Sequence, residues 1–289
     1  MAEFKNLDLI VLADRSSSVC RAYLAYLKAY HYKPAMILLV DFIGHSKKAS
    51  ILRALAGRKL TLGLMRLYRN ITGSHADQNI HCTNLVNYMD SRFEHTVPFF
   101  GKFNYPDYAQ ETRSIIVTGL DDPQLSGFIK NSSIQTVLFT GGGFVKQGLL
   151  GLPGKKFIHI HPGIVPDIRG ADGILWSALL RKKLGYSGFY MGQGIDTGDV
   201  LCRQEYDLPC FIKSKVLKDN SYDDMYKALL FGYDAHLRAI TLIKLLTISD
   251  EKGRSLADLP SEPQNSNDGR VYFFMHNLVR NAALELMLQ

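Results

Sequence analysis

Two histidines and an aspartate have the side chains and the spacing that acid–base chemistry requires. His159 and His161 are separated by one residue at the end of an apolar run, and Pro162 restricts His161 to an extended backbone. Asp196 follows 35 residues after His161, in a Gly-Ile-Asp-Thr-Gly loop. An imidazole can act as a general base near neutral pH, and a neighbouring carboxylate would hold its tautomer and stabilise the imidazolium. The three residues predict a site of proton transfer.

The same side chains also allow a metal site. Residues i and i+2 of a strand share a face, so His159 and His161 form a His-x-His pair of the kind that binds zinc or iron. Asp196 or Asp199 would complete the ligand set and leave a position for water. No further histidine stands nearby in the sequence. A metal-dependent hydrolase is therefore the alternative to a metal-free site.

Apolar runs predict the strands that must position these residues. Short connectors and an intervening helix over Val19–His31 indicate a βαβ unit and a parallel sheet. In such sheets ligands bind beyond the carboxyl ends of the strands. Gly141–Gly143, His161–Gly163 and the Asp196 loop each follow a predicted strand, so we expect them to converge. The predicted strands are Leu7–Ala13, Ala35–Val40, Ser114–Thr118, Ile134–Phe139, Lys156–Ile160 and Gly188–Met191.

Helical spacing dominates two other parts of the chain. Ala49–Ile71 and Leu85–Asp90 predict helices within residues 46–112. Ser221–Leu246 predicts the longest helix and begins with a capping-box pattern. The polar segment Leu259–Asp268 predicts a linker, followed by the tail Gly269–Phe274 and a further helix over Met275–Leu288.

The order of these motifs resembles the catalytic core of the 10-formyltetrahydrofolate-dependent formyltransferases. That family shows Asn-x-His-Pro-Ser, then Leu-Leu-Pro-x-x-Arg-Gly, then an aspartate in an x-Asp-x-Gly loop. Here His161 and Asp196 match the family histidine and aspartate, and Arg169-Gly170 matches Arg-Gly. His159 stands where the family has asparagine. The resemblance covers residues 134–205 well and residues 7–45 loosely.

The resemblance implies an α/β fold of the Rossmann-like formyltransferase type, with a mostly parallel twisted sheet flanked by helices. Residues 1–205 would form the catalytic domain, in which residues 46–112 would be a helical insertion relative to most family members, and residues 206–289 would form a C-terminal helical extension. The implied activity is N-formyl transfer from 10-formyltetrahydrofolate to a primary amine, with no metal. The residues that the family pattern assigns to folate are Gly141, Gly142, Gly143, Phe144, Val145 and Ile195.

The resemblance also implies a role for each catalytic residue. His161 would be the base, and Asp196 would orient it. The family asparagine donates a hydrogen bond to the formyl oxygen, so we expect His159 to replace it as the oxyanion donor. Weakened chemistry, or a catalytically impaired relative that still binds folate or the acceptor, is the other outcome of this substitution.

The tail and the composition bear on the acceptor. Gly269–Phe274 resembles the ends of sugar N-formyltransferases, which implies an amino sugar, free or nucleotide-linked, as the acceptor. The 289 residues carry a net charge of +7, but lysine and arginine are scattered rather than clustered, which disfavours nucleic acid as a partner.

No apolar run reaches the ~20 residues of a membrane span. Four cysteines without a Cys-x-x-Cys pair favour a reducing cytoplasm. The sequence is compatible with a monomer and with a homodimer.

Overall fold

A computed structural model describes residues 3–44, 46–72, 82–141, 145–265 and 267–289 of the chain. Within this part, nine strands carry the fold. They are β1 (Lys5–Asp14), β2 (Tyr32–Phe42), β3 (Glu111–Val117), β4 (Thr136–Phe139), β5 (Lys156–His161), β6 (Ile168–Gly170), β7 (Lys183–Tyr190), β8 (Val200–Asp207) and β9 (Arg270–Tyr272).

Ten α-helices surround the strands in the same described ranges. They are α1 (Ser18–Ala29), α2 (Lys47–Thr72), α3 (Thr83–Asp90), α4 (Pro123–Asn131), α5 (Gln147–Leu150), α6 (Gly173–Arg181), α7 (Lys213–Val216), α8 (Tyr222–Ala228), α9 (Asp234–Glu251) and α10 (Asn277–Glu285). A single 3₁₀ turn covers Tyr105–Tyr108, and a π-helical segment, Leu229–Tyr233, joins α8 to α9.

The central sheet has seven strands in the order β3-β2-β1-β4-β5-β7-β8. The first five run parallel, whereas β7 pairs antiparallel with β5, and β8 pairs antiparallel with β7. The mostly parallel α/β sheet expected from the sequence is therefore confirmed. A second, two-stranded sheet pairs β6 with β9 in parallel.

Helices cover both faces of the central sheet, because successive side chains of a strand point to opposite faces. Val11 and Leu138 belong to a core shared with α1 and α9, whereas Leu12 and Val137 belong to a core shared with α4 and α5. Buried strands of this kind read as continuous apolar runs, which is why the sequence revealed them.

Residues 206–289 pack into the first of these cores rather than beside it. Met225 and Leu245 are fully buried there together with α1, and Met287 at the far end of the chain is buried as well. The predicted division at residue 205 stays a prediction, but one hydrophobic core spans it.

The two helices predicted within residues 46–112 are present. They are α2, which has a non-helical residue at Gly57, and α3, whereas residues 91–104 contain no helix. The predicted helix Ser221–Leu246 is a chain of α8, the π segment and α9. None of the described helices is both long enough and apolar enough to span a membrane.

Candidate functional site

A cavity of about 640 Å³ opens at the carboxyl ends of β4 and β5. Gly141 follows β4, and His161 is the last residue of β5, so the parallel register brings the two segments to one edge. The expected site residues that the structure describes all line this cavity; they are Gly141, Val145, His159, His161, Ile195 and Asp196. Gly142, Gly143 and Phe144 lie outside the described residues.

His161 is buried between two hydrogen-bond acceptors. Its Nε2 lies 3.2 Å from the carbonyl oxygen of Ile168, and its Nδ1 lies 3.4 Å from Oδ2 of Asp196. A neutral imidazole has one N–H, so the ring can donate to only one of these two acceptors until it gains a proton. Burial lowers the pKa of His161, and Asp196 opposes that effect. The ring is therefore a neutral base whose protonated form has a partner on each side.

The Asp196 loop is held in a conformation suited to this contact. Asp196 has a left-handed backbone with φ of 50°, which aspartate tolerates better than most residues. Its Oδ2 also accepts a hydrogen bond of 2.7 Å from the backbone N–H of Gly170. At Gly198, where φ is 117°, a Cβ would come within 2.0 Å of the Tyr190 carbonyl oxygen. The carboxylate is thus fixed before any ligand arrives.

His159 makes a contact that the sequence did not reveal. Its Nδ1 lies 3.0 Å from the Phe139 carbonyl oxygen, which can only accept, so Nδ1 carries the proton. Burial, together with the positive charge of Arg238, lowers the pKa of His159 to about 4. The ring is therefore neutral near pH 7, and Nε2 is an acceptor. The expected oxyanion donor cannot donate from Nε2 in this state.

Arg238 is a cavity residue that the sequence analysis missed. It lies on α9, just after the π-helical segment, and π segments are frequent at functional sites. Its Nε donates to Asp234 Oδ2 at 2.7 Å, and its Nη1 donates to the Ile160 carbonyl oxygen at 2.7 Å. An aspartate four residues before an arginine, at the start of a helix with many buried apolar residues, was the available signal.

The tail forms another wall of the cavity. Pairing of β9 with β6 places Tyr272 and Phe273 beside the site. The Trp176 indole N–H donates to the Phe273 carbonyl oxygen at 3.0 Å, and the Trp176 ring packs on Tyr272. Asp172 also lines the cavity, but its two oxygens accept hydrogen bonds from the tail and from α8. We therefore assign Asp172 a structural role, which is to link the tail to α8.

The three catalytic candidates also meet the distance requirement for a metal site. Ligand atoms of His159, His161 and Asp196 all lie within 4.8 Å of one another. Each histidine has one ring nitrogen facing a backbone carbonyl, an arrangement common among metal-bound histidines. Asp199, the alternative ligand, is instead bonded to Ser261, with its Oδ2 accepting from the hydroxyl at 3.3 Å.

Comparison with known proteins shows which enzymes the chain is similar to. No family model matches the chain. A methionyl-tRNA formyltransferase of Syntrophus aciditrophicus is 27% identical over 128 residues, which are 44% of this chain and 39% of that enzyme. The human cytosolic 10-formyltetrahydrofolate dehydrogenase is 32% identical over 103 residues, which are 35% of this chain and 10% of that enzyme. Over these stretches the chain is similar to a formyltransferase and to a 10-formyltetrahydrofolate dehydrogenase.

Formyltransferase relatives resemble this chain over limited stretches. The matches span 39% and 10% of the lengths of the two curated relatives. Among solved structures, a sugar N-formyltransferase from Shewanella aligns over 96% of this chain and 87% of its own, with 12% identity and a TM-score of 0.45. The two curated relatives confirm the family resemblance inferred from the His-Pro-Gly and Asp-Thr-Gly motifs.

Proposed function

We propose that this protein transfers a formyl group from 10-formyltetrahydrofolate to a primary amine. The observation that carries the proposal is the contact of His161 with Asp196, 3.4 Å apart, inside a cavity that also contains Gly141, Val145 and Ile195. A cavity of about 640 Å³ with mostly apolar walls suits the pterin part of a folate. The folate supplies the formyl group, and the chain supplies the base and the binding surface.

His161 removes the proton that the attacking amine must lose, directly or through water. Proton uptake gives the ring a second N–H, so that both Ile168 and Asp196 then accept hydrogen bonds. His161 later returns the proton to the folate nitrogen that departs. Asp196 holds the ring and stabilises its charged form.

The test begins with folate binding, which needs no acceptor. We expect 5-formyltetrahydrofolate, a stable analogue, to bind with micromolar affinity in calorimetry. Ile195 is 47% exposed at the cavity, so Ile195→Ala should weaken binding about tenfold as apolar contact is lost. Leu55→Ala, at an 82% exposed position on α2, is the matched control and should bind normally. No binding by the wild type would refute the proposal.

Turnover tests the assignment of the base. His161→Ala should abolish formyl transfer while binding of 5-formyltetrahydrofolate persists, because the base is lost and the apolar walls remain. A variant with nearly wild-type activity would remove His161 from the mechanism.

For the acceptor we propose an amino sugar, free or nucleotide-linked. The tail supports this choice, because Tyr272, Phe273 and Phe274 line the cavity, and the two phenylalanines are largely exposed there. Such rings can stack on a nucleotide base or on the apolar face of a sugar. A panel of nucleotide-linked amino sugars, free amino sugars and simple amines should show the highest kcat/KM for a sugar. A clear preference for simple amines would overturn the choice.

The cluster of His159, His161 and Asp196 supports a second candidate, a metal-dependent hydrolase. Its chemistry would need a bound zinc or iron ion that activates water. Arg238, a positive charge that lines the same cavity, opposes a cation there. Metal analysis of the purified protein separates the candidates: one tightly bound transition metal with chelator-sensitive activity favours the hydrolase, and folate binding that resists chelator favours the transferase.

A further inference from the structure

Neutral His159 has no free N–H for the negative charge that formyl transfer creates. The N–H of neutral His159 is already donated to the Phe139 carbonyl oxygen, so its Nε2 can only accept. Among the described residues that line the cavity, Arg238 is the only lysine or arginine. A cation at this position can do what His159 cannot.

The guanidinium of Arg238 is fixed rather than mobile. Asp234 accepts from its Nε at 2.7 Å, and the Tyr186 hydroxyl donates to the other Asp234 oxygen at 2.7 Å. The Ile160 carbonyl oxygen accepts from its Nη1, and Ile160 lies between the two histidines in the chain. The positive group is thereby attached to the strand segment that carries His159 and His161.

Arg238 nevertheless keeps access to the cavity. Its side chain retains 15% of its accessible surface, whereas that of Asp234 retains 4%. The bonds to Asp234 and Ile160 use one N–H of Nε and one of Nη1, and a guanidinium has five N–H donors in total. The group is therefore charged, oriented and still able to donate, which is the preorganisation that transition-state stabilisation requires.

We propose that Arg238 stabilises the negative charge on the formyl oxygen, the role that the family pattern assigns to the position of His159. The inference rests on the proposed formyl transfer. When the amine nitrogen bonds to the formyl carbon, the carbonyl electron pair moves onto oxygen beside the guanidinium. When the bond from carbon to the folate nitrogen breaks, the pair returns to form the new amide. Arg238 keeps its own protons throughout.

The experiment compares charge-keeping and charge-removing variants. Arg238→Met is made together with Asp234→Asn, so that no buried carboxylate is left unpaired, and Arg238→Lys keeps the charge. Arg181→Met, which breaks an exposed ion pair with Glu205 outside the cavity, is the matched control. Circular dichroism and affinity for 5-formyltetrahydrofolate verify that each variant is folded.

We expect the double variant to lose about 10²–10³ in kcat, the usual cost of removing one oxyanion donor, with little change in the KM for folate. Arg238→Lys should recover a substantial part of the loss, and Arg181→Met should match the wild type. Should the double variant not fold, Arg238→Lys and Arg238→Gln decide the matter by the gap between their kcat values. A folded charge-removing variant within about threefold of wild-type kcat would overturn the inference.

Failure of the inference is distinct from failure of the proposed function. An active wild type whose double variant is equally active removes Arg238 alone. If His159→Ala then abolishes activity, the donor is His159 in a protonated form. A wild type that neither binds the folate analogue nor forms a formylated amine removes the proposed function, and this inference falls with it.

Discussion

Replacing Asp196 with asparagine isolates the electrostatic part of the site from its shape. The amide oxygen of asparagine can still accept the hydrogen bond from Gly170, now 2.7 Å from the carboxylate, so the loop should keep its conformation. What disappears is a negative charge 3.4 Å from Nδ1 of His161. The variant therefore tests whether that charge, rather than the packing of the loop, supports proton transfer.

The size of the effect follows from the distance. Two unit charges 3.4 Å apart attract by about 5 kcal/mol at an effective dielectric constant of about 20, an upper figure since water reaches part of the carboxylate. A barrier raised by that amount would slow the reaction by about 5 × 10³-fold. We therefore expect kcat of Asp196→Asn to fall by about 10²–10³. Loss of the carboxylate also removes the influence that raises the pKa of His161, so this pKa should fall.

The assay follows formation of tetrahydrofolate by absorbance with the best amine from the acceptor panel, and histidine NMR reports the pKa of His161. Asp199→Asn is the control, because Asp199 is in the same loop but bonds to Ser261 outside the cavity. A folded Asp196→Asn variant with kcat within about threefold of wild type would show that the reasoning from charge and distance is wrong.

Two further predictions concern stability. Burial lowers the pKa of His159 and His236 to about 4, so the unfolded chain binds more protons than the folded chain below about pH 6.5. The free energy of unfolding should therefore be highest near pH 7 and should fall by about 2 kcal/mol per histidine by pH 5. Urea unfolding at each pH measures it, and a free energy of unfolding that does not change with pH would contradict the burial of these histidines. Gly173→Ala should destabilise the fold and reduce activity, because its Cβ would come within 1.6 Å of the Pro162 carbonyl oxygen. Gly127→Ala, with open space on α4, should instead stabilise by up to about 1 kcal/mol, and equal melting temperatures would refute the contrast.

The sequence predicts the part of the fold in which local pattern and burial coincide. Strands β1, β2, β4 and β5 are buried on both faces and appear as apolar runs. The edge strand β8 alternates buried and half-exposed residues and contains Arg203 and Glu205, so no apolar run marks it. The three residues of β9 become a strand only by pairing with β6, about 100 residues earlier, and a local pattern cannot report such pairing.

In the candidate site, too, some residues are recognisable from local motifs and others only from contacts between distant parts of the chain. His161, Asp196 and Ile195 were recognisable because the chain carries them in short motifs, and the structure gathers them around one cavity. Arg238 was missed because an arginine on a long helix is usually a solvated residue, and the π turn that precedes it changes which side chains face inward. The tautomer of His159 depends on the Phe139 carbonyl, a partner 20 residues away that no motif encodes.

The walls of the cavity are drawn from positions as distant as Val19 and Phe274. Such a cavity forms only when residues far apart in the sequence come together. This loss of chain entropy precedes the stabilising contacts that offset it. On a ribosome, which builds the chain from its amino terminus, the strand carrying His161 emerges well before Arg238 and the tail. The nascent protein would thus contain His161 and Asp196 in an incomplete cavity, and the proposed formyl transfer would require the tail to be in place.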